Sequence, residues 1–420
     1  MNRSESSIEK LRQRLRWLFA SIGPGIAIAA TGVGAGDLVS VTAAGSKFGN
    51  TLIWAVVVGA ILKYVLNEGV ARWQLATGQS VVEGWAQHLG PLAGYCFVAY
   101  LVLWTFFVSG GLMVAAGLAA HTLIPILSRQ WWGVIHAVLG FVLVWLGTYE
   151  RFEQVMKALV ALMFIAIVGT ALAAGPSADS LLVPPAVPVG GLPFTLGLIG
   201  GVGGTVTMLA YGYWIQERNW IGVGWLGTVR TDLAIAYGLT GLFGVGVMFL
   251  STEILYQQGI QVEGQDGLLR MASILQQSLG PIGQWLFLIG FWGATFSSIL
   301  GVFQGVPYLF ADFVCQASGS TNARDEYVNP RKPFYRMYLL FMAFPCMLML
   351  FAPRPIWIVV TYAAISSLFL PLLALSLLIL NNRTRLVGRQ HRNGPLTNLL
   401  LLAAIGLFIY LGIDALISRG

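Results

Sequence analysis

Charged side chains are scarce in this 420-residue chain: they make up 10% of the residues, whereas 57% are hydrophobic. Soluble domains carry charges on about a quarter of their residues, so the composition disfavours a water-soluble enzyme. The 24 Lys and Arg and the 17 Asp and Glu fall in short patches between long apolar runs. This pattern is typical of an inner-membrane protein and not of a nucleic-acid binder.

Cysteine and histidine are also too few and too scattered to form a disulfide framework or a zinc site. The three cysteines lie in or beside apolar runs, and the four histidines lack ligand spacing. The N-terminal segment MNRSESSIEKLRQRLRW lacks the apolar core of a cleaved signal peptide. There is no P-loop motif to support primary active transport, and we expect neither a cofactor nor enzymatic activity.

Apolar runs of membrane-spanning length repeat along the chain. A helix needs about 20 predominantly apolar residues to cross the hydrocarbon core. Eleven runs meet this requirement, at roughly 18–43, 51–75, 92–122, 131–148, 153–175, 191–216, 229–251, 282–312, 335–352, 355–380 and 396–417. The Pro-rich segment 176–190 reads as an external linker. Segment 252–281 predicts a short helix in a loop, which Gly280-Pro281 ends.

Glycines interrupt the first and the sixth of these runs at matching places. The first run contains TGVGAGD at 31–37, and the sixth contains IGGVGGTVT at 199–207. Paired breaks of this kind are typical of transporters with inverted repeats, in which freed carbonyls and half-helix ends build a site at the membrane midplane. Close packing through Gly32 and Gly36 is the alternative. Asp37 favours the site, because a carboxylate at this depth is costly unless it faces a cavity or a partner.

Six stretches occur in the order and spacing of a known family. They are GPG at 23–25, ARWQLATG at 71–78, GGTV at 203–206, VRTDLAIAYGL at 229–239, LGPIGQWLFLIGFWGATFSS at 279–298 and LP at 370–371. With them the chain resembles the NRAMP divalent-metal transporters from Gly23 to about Pro371. The resemblance implies an all-α membrane protein with a LeuT-like fold, eleven transmembrane helices, a 5+5 inverted repeat and broken helices 1 and 6.

This fold divides the chain into five regions. We expect a cytoplasmic N-terminal segment at 1–17, the first inverted repeat with spans 1–5 at 18–175, and the external linker at 176–190. The second repeat, with spans 6–10, then covers 191–380, and a cytoplasmic loop with span 11 covers 381–420.

The metal-binding chemistry of the family is replaced in this chain. The family's first-span motif, Asp-Pro-Gly-Asn, aligns with Gly-Ala-Gly-Asp at 34–37. Its sixth-span motif, Met-Pro-His-Asn, aligns with Thr-Met-Leu-Ala at 207–210, so the thioether that favours soft transition metals is missing. Gly110 and Met113 take the places of the third-span Asp and Glu of the proton route, and Trp214 stands where a second His is often found. We therefore expect that the family's proton coupling is lost.

The remaining polar groups form a set of hard oxygen donors with one negative charge. Asp37 and Thr207 are the candidate metal ligands, and the carbonyls around Thr31 and Gly204 match family positions that reach the ion. Such a set suits a divalent cation of the Mg²⁺ or Mn²⁺ kind that keeps several waters. The candidate substrate-binding residues are Thr31, Gly34, Asp37, Gly204, Thr207 and Tyr211.

Lys63 opens a second interpretation, because it lies about halfway along the second span. It either extends to an interface or faces the cavity, where it is a candidate charge partner for Asp37. In the second case the pocket suits a small organic solute. Glu68 predicts an ordinary helical ion pair with Arg72, four residues later.

Two further expectations concern function and partners. A non-transporting membrane sensor or scaffold has the least support, because the chain leaves little room for a signalling domain beyond its spans. The expected partners are a small cation or small solute and membrane lipid, with no nucleic acid, in a monomer or weak oligomer.

The basic residues predict the orientation in the membrane. With the N-terminus in the cytoplasm, 18 Lys and Arg lie inside and 5 outside, while Lys63 lies within a span. The positive-inside rule then predicts a cytoplasmic N-terminus and an external C-terminus, in the cell inner (plasma) membrane that the composition indicates. A C-terminal reporter that is active only in the cytoplasm should be silent, and a bright reporter would overturn the span count.

Overall fold

The computed structural model describes residues 23–175, 183–201, 203–262, 264–319, 324–352, 365–366 and 368–417. Within these ranges every regular element is a helix, which confirms the all-α prediction. The predicted N-terminal segment 1–17 lies outside the described residues, as do the start of the first span and much of the tenth.

The described part of the first half forms seven α-helices. They are α1 (Pro24–Gly32), α2 (Ala35–Phe48), α3 (Ile53–Thr77), α4 (Val81–His88), α5 (Pro91–Leu123), α6 (Arg129–Leu146) and α7 (Tyr149–Ala173). The first predicted span is thus two half-helices, α1 and α2, with Val33 and Gly34 between them. A 3₁₀ turn, Gly49–Leu52, connects α2 to α3.

The described part of the second half forms nine α-helices. They are α8 (Leu192–Gly201), α9 (Ala210–Glu217), α10 (Leu226–Ile254), α11 (Gly264–Ala317), α12 (Arg324–Tyr327), α13 (Pro333–Ala343), α14 (Phe369–Leu380), α15 (Thr384–Val387) and α16 (Pro395–Ile417). Short 3₁₀ helices lie at Val206–Leu209, Val223–Trp225, Tyr256–Gln258 and Pro345–Phe351. The predicted sixth span is therefore also broken, between α8 and α9.

The ends of several elements follow local sequence signals. The Ser80 hydroxyl caps α4 by accepting a hydrogen bond from the Glu83 N–H at 2.9 Å. Gly280, at φ +74°, interrupts α11 where the sequence predicts a stop, so 264–279 forms the predicted helix before the eighth span. The ninth span, predicted at 335–352, changes from α13 to a 3₁₀ helix at Pro345, because proline cannot donate the next helical hydrogen bond.

The two half-helices of the first span lie at the centre of the bundle. Both α1 and α2 pack against α10 on one side and α11 on another, and α1 also contacts α7. The half-helix α8 packs against α2 and α3, which brings the two broken spans together. Large apolar side chains such as Leu92, Ile165 and Ile282 remain exposed on outer surfaces, as a lipid environment requires.

Within the described residues, eight helical stretches are long and apolar enough to cross a membrane. One of them, 35–77, joins the second half of the first span to the whole second span. Phe369–Leu380 and Pro395–Tyr410 are shorter apolar helices at the places of spans 10 and 11.

Candidate functional site

Asp37 lies in the first turn of the half-helix α2, and its side chain bonds back to Gly34, the N-cap residue. Its Oδ2 accepts a hydrogen bond from the Gly34 N–H at 2.9 Å, and the side chain is half-buried. Unpaired N–H groups and the helix dipole both favour a negative charge at a helix N-terminus. The first break therefore stabilises the carboxylate that it carries, while one face of Asp37 lines a small apolar cavity beside Val33, Thr240 and Phe243.

The two breaks touch each other directly through glycine backbone. Gly203 and Gly204 have φ values of +97° and +84°, which side-chain-bearing residues rarely adopt. A Cβ at Gly32 would lie 2.8 Å from the Gly203 carbonyl carbon, so a methyl group there would clash with backbone. Glycine at these positions is thus required by geometry as well as by close packing.

Lys63 extends from α3 into the second break. Its side chain is 1% exposed, and its ammonium donates to the Gly200 carbonyl at 2.9 Å and to the Gly204 carbonyl. Of the two interpretations from sequence, the structure shows a lysine that turns inward to the breaks. Lys63 and Asp37 interact electrostatically, but no ion pair joins them among the described residues.

The remaining backbone and hydroxyl candidates are distributed over both breaks. The Thr31 hydroxyl points back along α1 and donates to the Ala27 carbonyl at 2.5 Å, while the Thr31 carbonyl accepts from the Ser298 hydroxyl at 3.1 Å. Thr207 is buried in the 3₁₀ turn, and its Oγ1 would lie 3.1 Å from a Cβ at Gly204. Lys63, Gly204 and Thr207 therefore belong to one neighbourhood, at the second break.

Tyr211 points away from the breaks and toward Asp232, a residue for which the sequence suggested no role. Asp232 of α10 is 1% exposed and accepts three hydrogen bonds: from the Tyr211 hydroxyl at 2.9 Å, the Gly23 N–H at 2.9 Å and the Gly25 N–H at 2.7 Å. These bonds fasten the start of α1 to the sixth and seventh spans. Two features of the sequence could have indicated this contact. A helix that begins Gly-Pro-Gly has unpaired N–H groups at its start, and an acidic residue within a span needs a partner.

Apolar packing and neutral hydrogen bonds surround the side chains that the family resemblance aligns with titratable positions. A Cβ at Gly110 would lie 2.5 Å from the Met349 side chain, and Met113 is fully buried. The Trp214 indole donates to the Gln304 side chain. These contacts leave no acid or base at the aligned positions to receive a proton.

Glu68 lies in a separate charge cluster. It pairs with Arg72 at 3.1 Å, which confirms the predicted helical ion pair, and also with Arg230 of α10 at 2.9 Å. Throughout the described part of the chain, no three His, Cys, Asp or Glu side chains come together to hold a metal ion. Any cation at the breaks would thus depend on Asp37, hydroxyls, carbonyls and water.

Sequence comparison places the chain among membrane transporters. The family model described as "Natural resistance-associated macrophage protein-like" matches residues 25–418. A protein of Pasteurella multocida, described as uncharacterized, is 22% identical over 330 residues, which cover 74% of each chain. A divalent metal cation transporter, MntH, of Listeria monocytogenes is 26% identical over 164 residues, or 39% of this chain and 36% of that protein.

Solved structures with the same fold include transporters of different solutes. A manganese transporter of Eremococcus coleocola, in its H236A variant, superimposes with a TM-score of 0.78 at 15% identity, covering 96% of this chain and 87% of that chain. MhsT in complex with L-phenylalanine gives a TM-score of 0.68 at 14% identity, covering 94% and 98%. These likenesses confirm the LeuT-like fold that the sequence predicted.

The Asp232 contact predicts a large loss of stability on substitution. Asp232→Ala would leave two backbone N–H groups and the Tyr211 hydroxyl without their acceptor, at about 1–3 kcal/mol for each buried donor. We expect thermal denaturation in detergent to show a free energy of unfolding lower by about 3 kcal/mol or more. Tyr211→Phe is the matched control, because it removes one donor, keeps the carboxylate and should cost about 1 kcal/mol. Equal small losses in both variants would contradict the role given to Asp232.

Proposed function

We propose that this chain is a transporter, because it belongs to the natural resistance-associated macrophage protein-like family. We infer that it moves a cation across the membrane by alternating access, and that the cation is a divalent metal ion of the Mg²⁺ or Mn²⁺ kind. The observation that carries this proposal is the half-buried Asp37 carboxylate, held where the two broken spans touch. Asp37 is the charged ligand of the proposed substrate, and Thr207 is a candidate second ligand.

The supply of ligands favours a hard cation that stays hydrated. The soft thioether of the family is missing at position 207, and the available donors are oxygens. Mg²⁺ gives up water reluctantly and is usually held by one or two carboxylates. The Asp37 carboxylate alone can therefore be the protein's charged ligand, while water molecules fill the other coordination positions. MntH, a relative whose name denotes a divalent metal cation transporter, supports the same substrate class.

Lys63 weakens this site for any metal ion. Its ammonium already occupies the carbonyls of Gly200 and Gly204 and places a positive charge near Asp37. The charge repels a divalent ion, more strongly in a low-dielectric interior than in water. We therefore infer a low affinity, which suits an ion that is abundant in cells.

A small organic solute in the same pocket is the second candidate. The observation that favours it is the pair of opposite charges, Asp37 at one break and Lys63 at the other, which matches a solute with a cationic and an anionic end. MhsT, a neighbour in fold, was solved with L-phenylalanine. No contact in the described residues favours a sensor or scaffold.

The proposal also covers the location, the orientation and the oligomeric state of the transporter. We infer that the chain lies in the cell inner (plasma) membrane with its N-terminus in the cytoplasm, because its basic residues are concentrated on that side. Membrane lipid covers the exposed apolar faces, and the working unit is a monomer or a weak oligomer.

Transport should proceed without proton movement along the family's route. Gly110, Met113, Leu209 and Trp214 stand at the positions that titrate in the family, and none of these side chains exchanges a proton near neutral pH. Proteoliposomes that take up Mn²⁺ should therefore show no acidification on a pH-sensitive dye trapped inside. Acidification that rises in step with metal entry would contradict the proposal.

Substitution of Asp37 should separate its charge from its capping role. Asp37→Asn keeps an oxygen that accepts from the Gly34 N–H but removes the negative charge, so Mn²⁺ or Mg²⁺ uptake should fall at least tenfold with little change in melting temperature. Asp37→Ala also removes the acceptor of the Gly34 N–H and should cost about 1 kcal/mol of stability in addition.

Uptake in proteoliposomes, measured beside melting temperature, distinguishes the candidates. Saturable metal uptake in the wild type that Asp37→Asn abolishes supports the metal proposal. Saturable uptake of a zwitterionic amino acid, with no metal uptake, would favour the organic solute. Full metal uptake in a folded Asp37→Asn protein would show that the charge of Asp37 is not needed.

A further inference from the structure

A groove opens between three helices on the outer surface of the bundle, beside the turn that joins α6 to α7. Its volume is about 180 Å³, and it lies between the end of α6, the start of α7 and Leu300 of α11. The groove is separate from the broken spans, because none of the residues proposed to bind the transported solute lines it. In the orientation proposed above, the turn lies on the cytoplasmic side of the membrane.

Close packing of α6 on α11 ends just before this groove. A Cβ at Gly140 would lie 3.0 Å from the Ile299 side chain, so glycine lets the two helices approach there. Further along α6, Leu143 is 43% exposed and Leu146 is 71% exposed, whereas Leu300 of α11 is buried. Leu300 therefore forms the floor of the groove, and the α6 leucines form one of its walls.

The lining of the groove is apolar over nearly its whole extent. Apart from Gly147 and Arg151, every lining residue carries a hydrocarbon side chain. A cavity with such walls offers water no hydrogen-bond partners and suits an apolar occupant. On the outer surface of a membrane protein, the apolar molecule available is a lipid acyl chain. Such a chain gains the van der Waals contacts that an unfilled space forfeits.

Arg151 lies at the end of the groove nearest the turn and has no acidic partner. Its side chain is exposed in the first turn of α7, and no ion pair includes it among the described residues. The neighbouring Glu150 carboxylate is hydrogen-bonded to its own N–H and to the Thr148 side chain. Glu153, further along α7, pairs with Arg218 at 3.0 Å. The positive charge of Arg151 is thus available to a ligand.

An apolar groove with an arginine at its cytoplasmic end matches the two parts of a phospholipid. The planar guanidinium binds phosphate through two parallel hydrogen bonds, and its aliphatic stem lies well along apolar surface. Anionic lipids are enriched in the cytoplasmic leaflet, and basic pockets between membrane helices on that side bind their headgroups. A zwitterionic headgroup carries a cation of its own, which Arg151 repels, so a lipid with a net negative charge fits better.

We propose that this groove binds one anionic phospholipid of the cytoplasmic leaflet, with an acyl chain between α6 and α7 and the phosphate at Arg151. The bound lipid contacts three spans at once. Because α7 and α11 both pack against α1, the lipid braces the elements that surround the first broken span. This site goes beyond the proposed transport function and rests on it only for the side of the membrane on which the groove lies.

Delipidated full-length protein in a non-ionic detergent tests the site by its melting temperature with added lipid. Phosphatidylglycerol, which is anionic, should raise the melting temperature saturably, and phosphatidylcholine should need at least a tenfold higher concentration for the same rise. Arg151→Gln should raise the midpoint concentration for phosphatidylglycerol at least tenfold. Arg389→Gln is the matched control and should leave it unchanged, because Arg389 is also exposed but lies outside the groove.

A change in the groove wall tests the acyl chain apart from the charge. Val155→Phe adds bulk to the α7 wall and keeps Arg151, so it should also raise the midpoint concentration for phosphatidylglycerol. Leu162→Phe is the control, because Leu162 is an exposed residue on the same face of α7, two turns beyond the groove. This variant should respond to phosphatidylglycerol as the wild type does.

The outcomes separate a lipid site from general attraction to a basic surface. Equal midpoints for the two lipids, an unchanged midpoint in Arg151→Gln, or an equal shift in Arg389→Gln would each overturn the proposal. A dimer in light scattering that Val155→Phe dissociates would show instead that a second copy covers the groove.

Native mass spectrometry of the wild type decides the question if Arg151→Gln does not fold. We expect one retained phosphatidylglycerol per chain and no retained phosphatidylcholine, and a protein that retains neither lipid would overturn the proposal. Failure of metal uptake beside an intact response to phosphatidylglycerol would reject the proposed function alone.

Discussion

The contact between the Lys63 ammonium and the carbonyls of Gly200 and Gly204 is the interaction on which the centre of this protein depends. A buried lysine is tolerated when acceptors replace the water that it loses. The second break supplies them, because its positive-φ glycines turn carbonyls out of the helical pattern. The positive charge is thus covalently attached to the second span while it is held by the sixth.

Protein donors bind carbonyls at both breaks, by different chemistry at each. At the first break, the neutral hydroxyls of Ser297 and Ser298 donate to the carbonyls of Ala30 and Thr31. At the second break, the Lys63 ammonium donates to the carbonyls of Gly200 and Gly204. Asp37 lies between these regions and faces the small cavity beside α10. The two halves of the site therefore differ in charge balance, although the breaks themselves correspond.

Local patterns predicted the fold well. Glycine runs mark the breaks because glycine is a poor helix former, and this property belongs to the segment itself. The same holds for the stop at Gly280 and for the Glu68–Arg72 pair, which lies within one helix. The all-α, LeuT-like architecture followed from the spans and from the family resemblance that these segments carry.

Local sequence patterns could not predict contacts between residues that are distant in the chain. Lys63 and Gly200 are 137 positions apart, and Gly23 and Asp232 are 209 apart, so nothing local identifies either contact. Tyr211 was included in the candidate site because it follows the second break, but its hydroxyl turns toward Asp232. The direction of a helical side chain depends on the rotation of its helix, which packing against other spans determines. Sequence thus located the breaks, whereas tertiary contacts decide which side chains enter them.

A measurement of metal affinity in a Lys63→Met variant tests most directly whether Lys63 acts as a tethered cation. Methionine keeps an unbranched, flexible side chain but removes the charge, which frees the carbonyls of Gly200 and Gly204 and ends the repulsion of an incoming ion. Mn²⁺ titration by calorimetry should show at least a tenfold tighter binding than in the wild type. Affinity that is unchanged or weaker in a folded Lys63→Met protein would contradict this account.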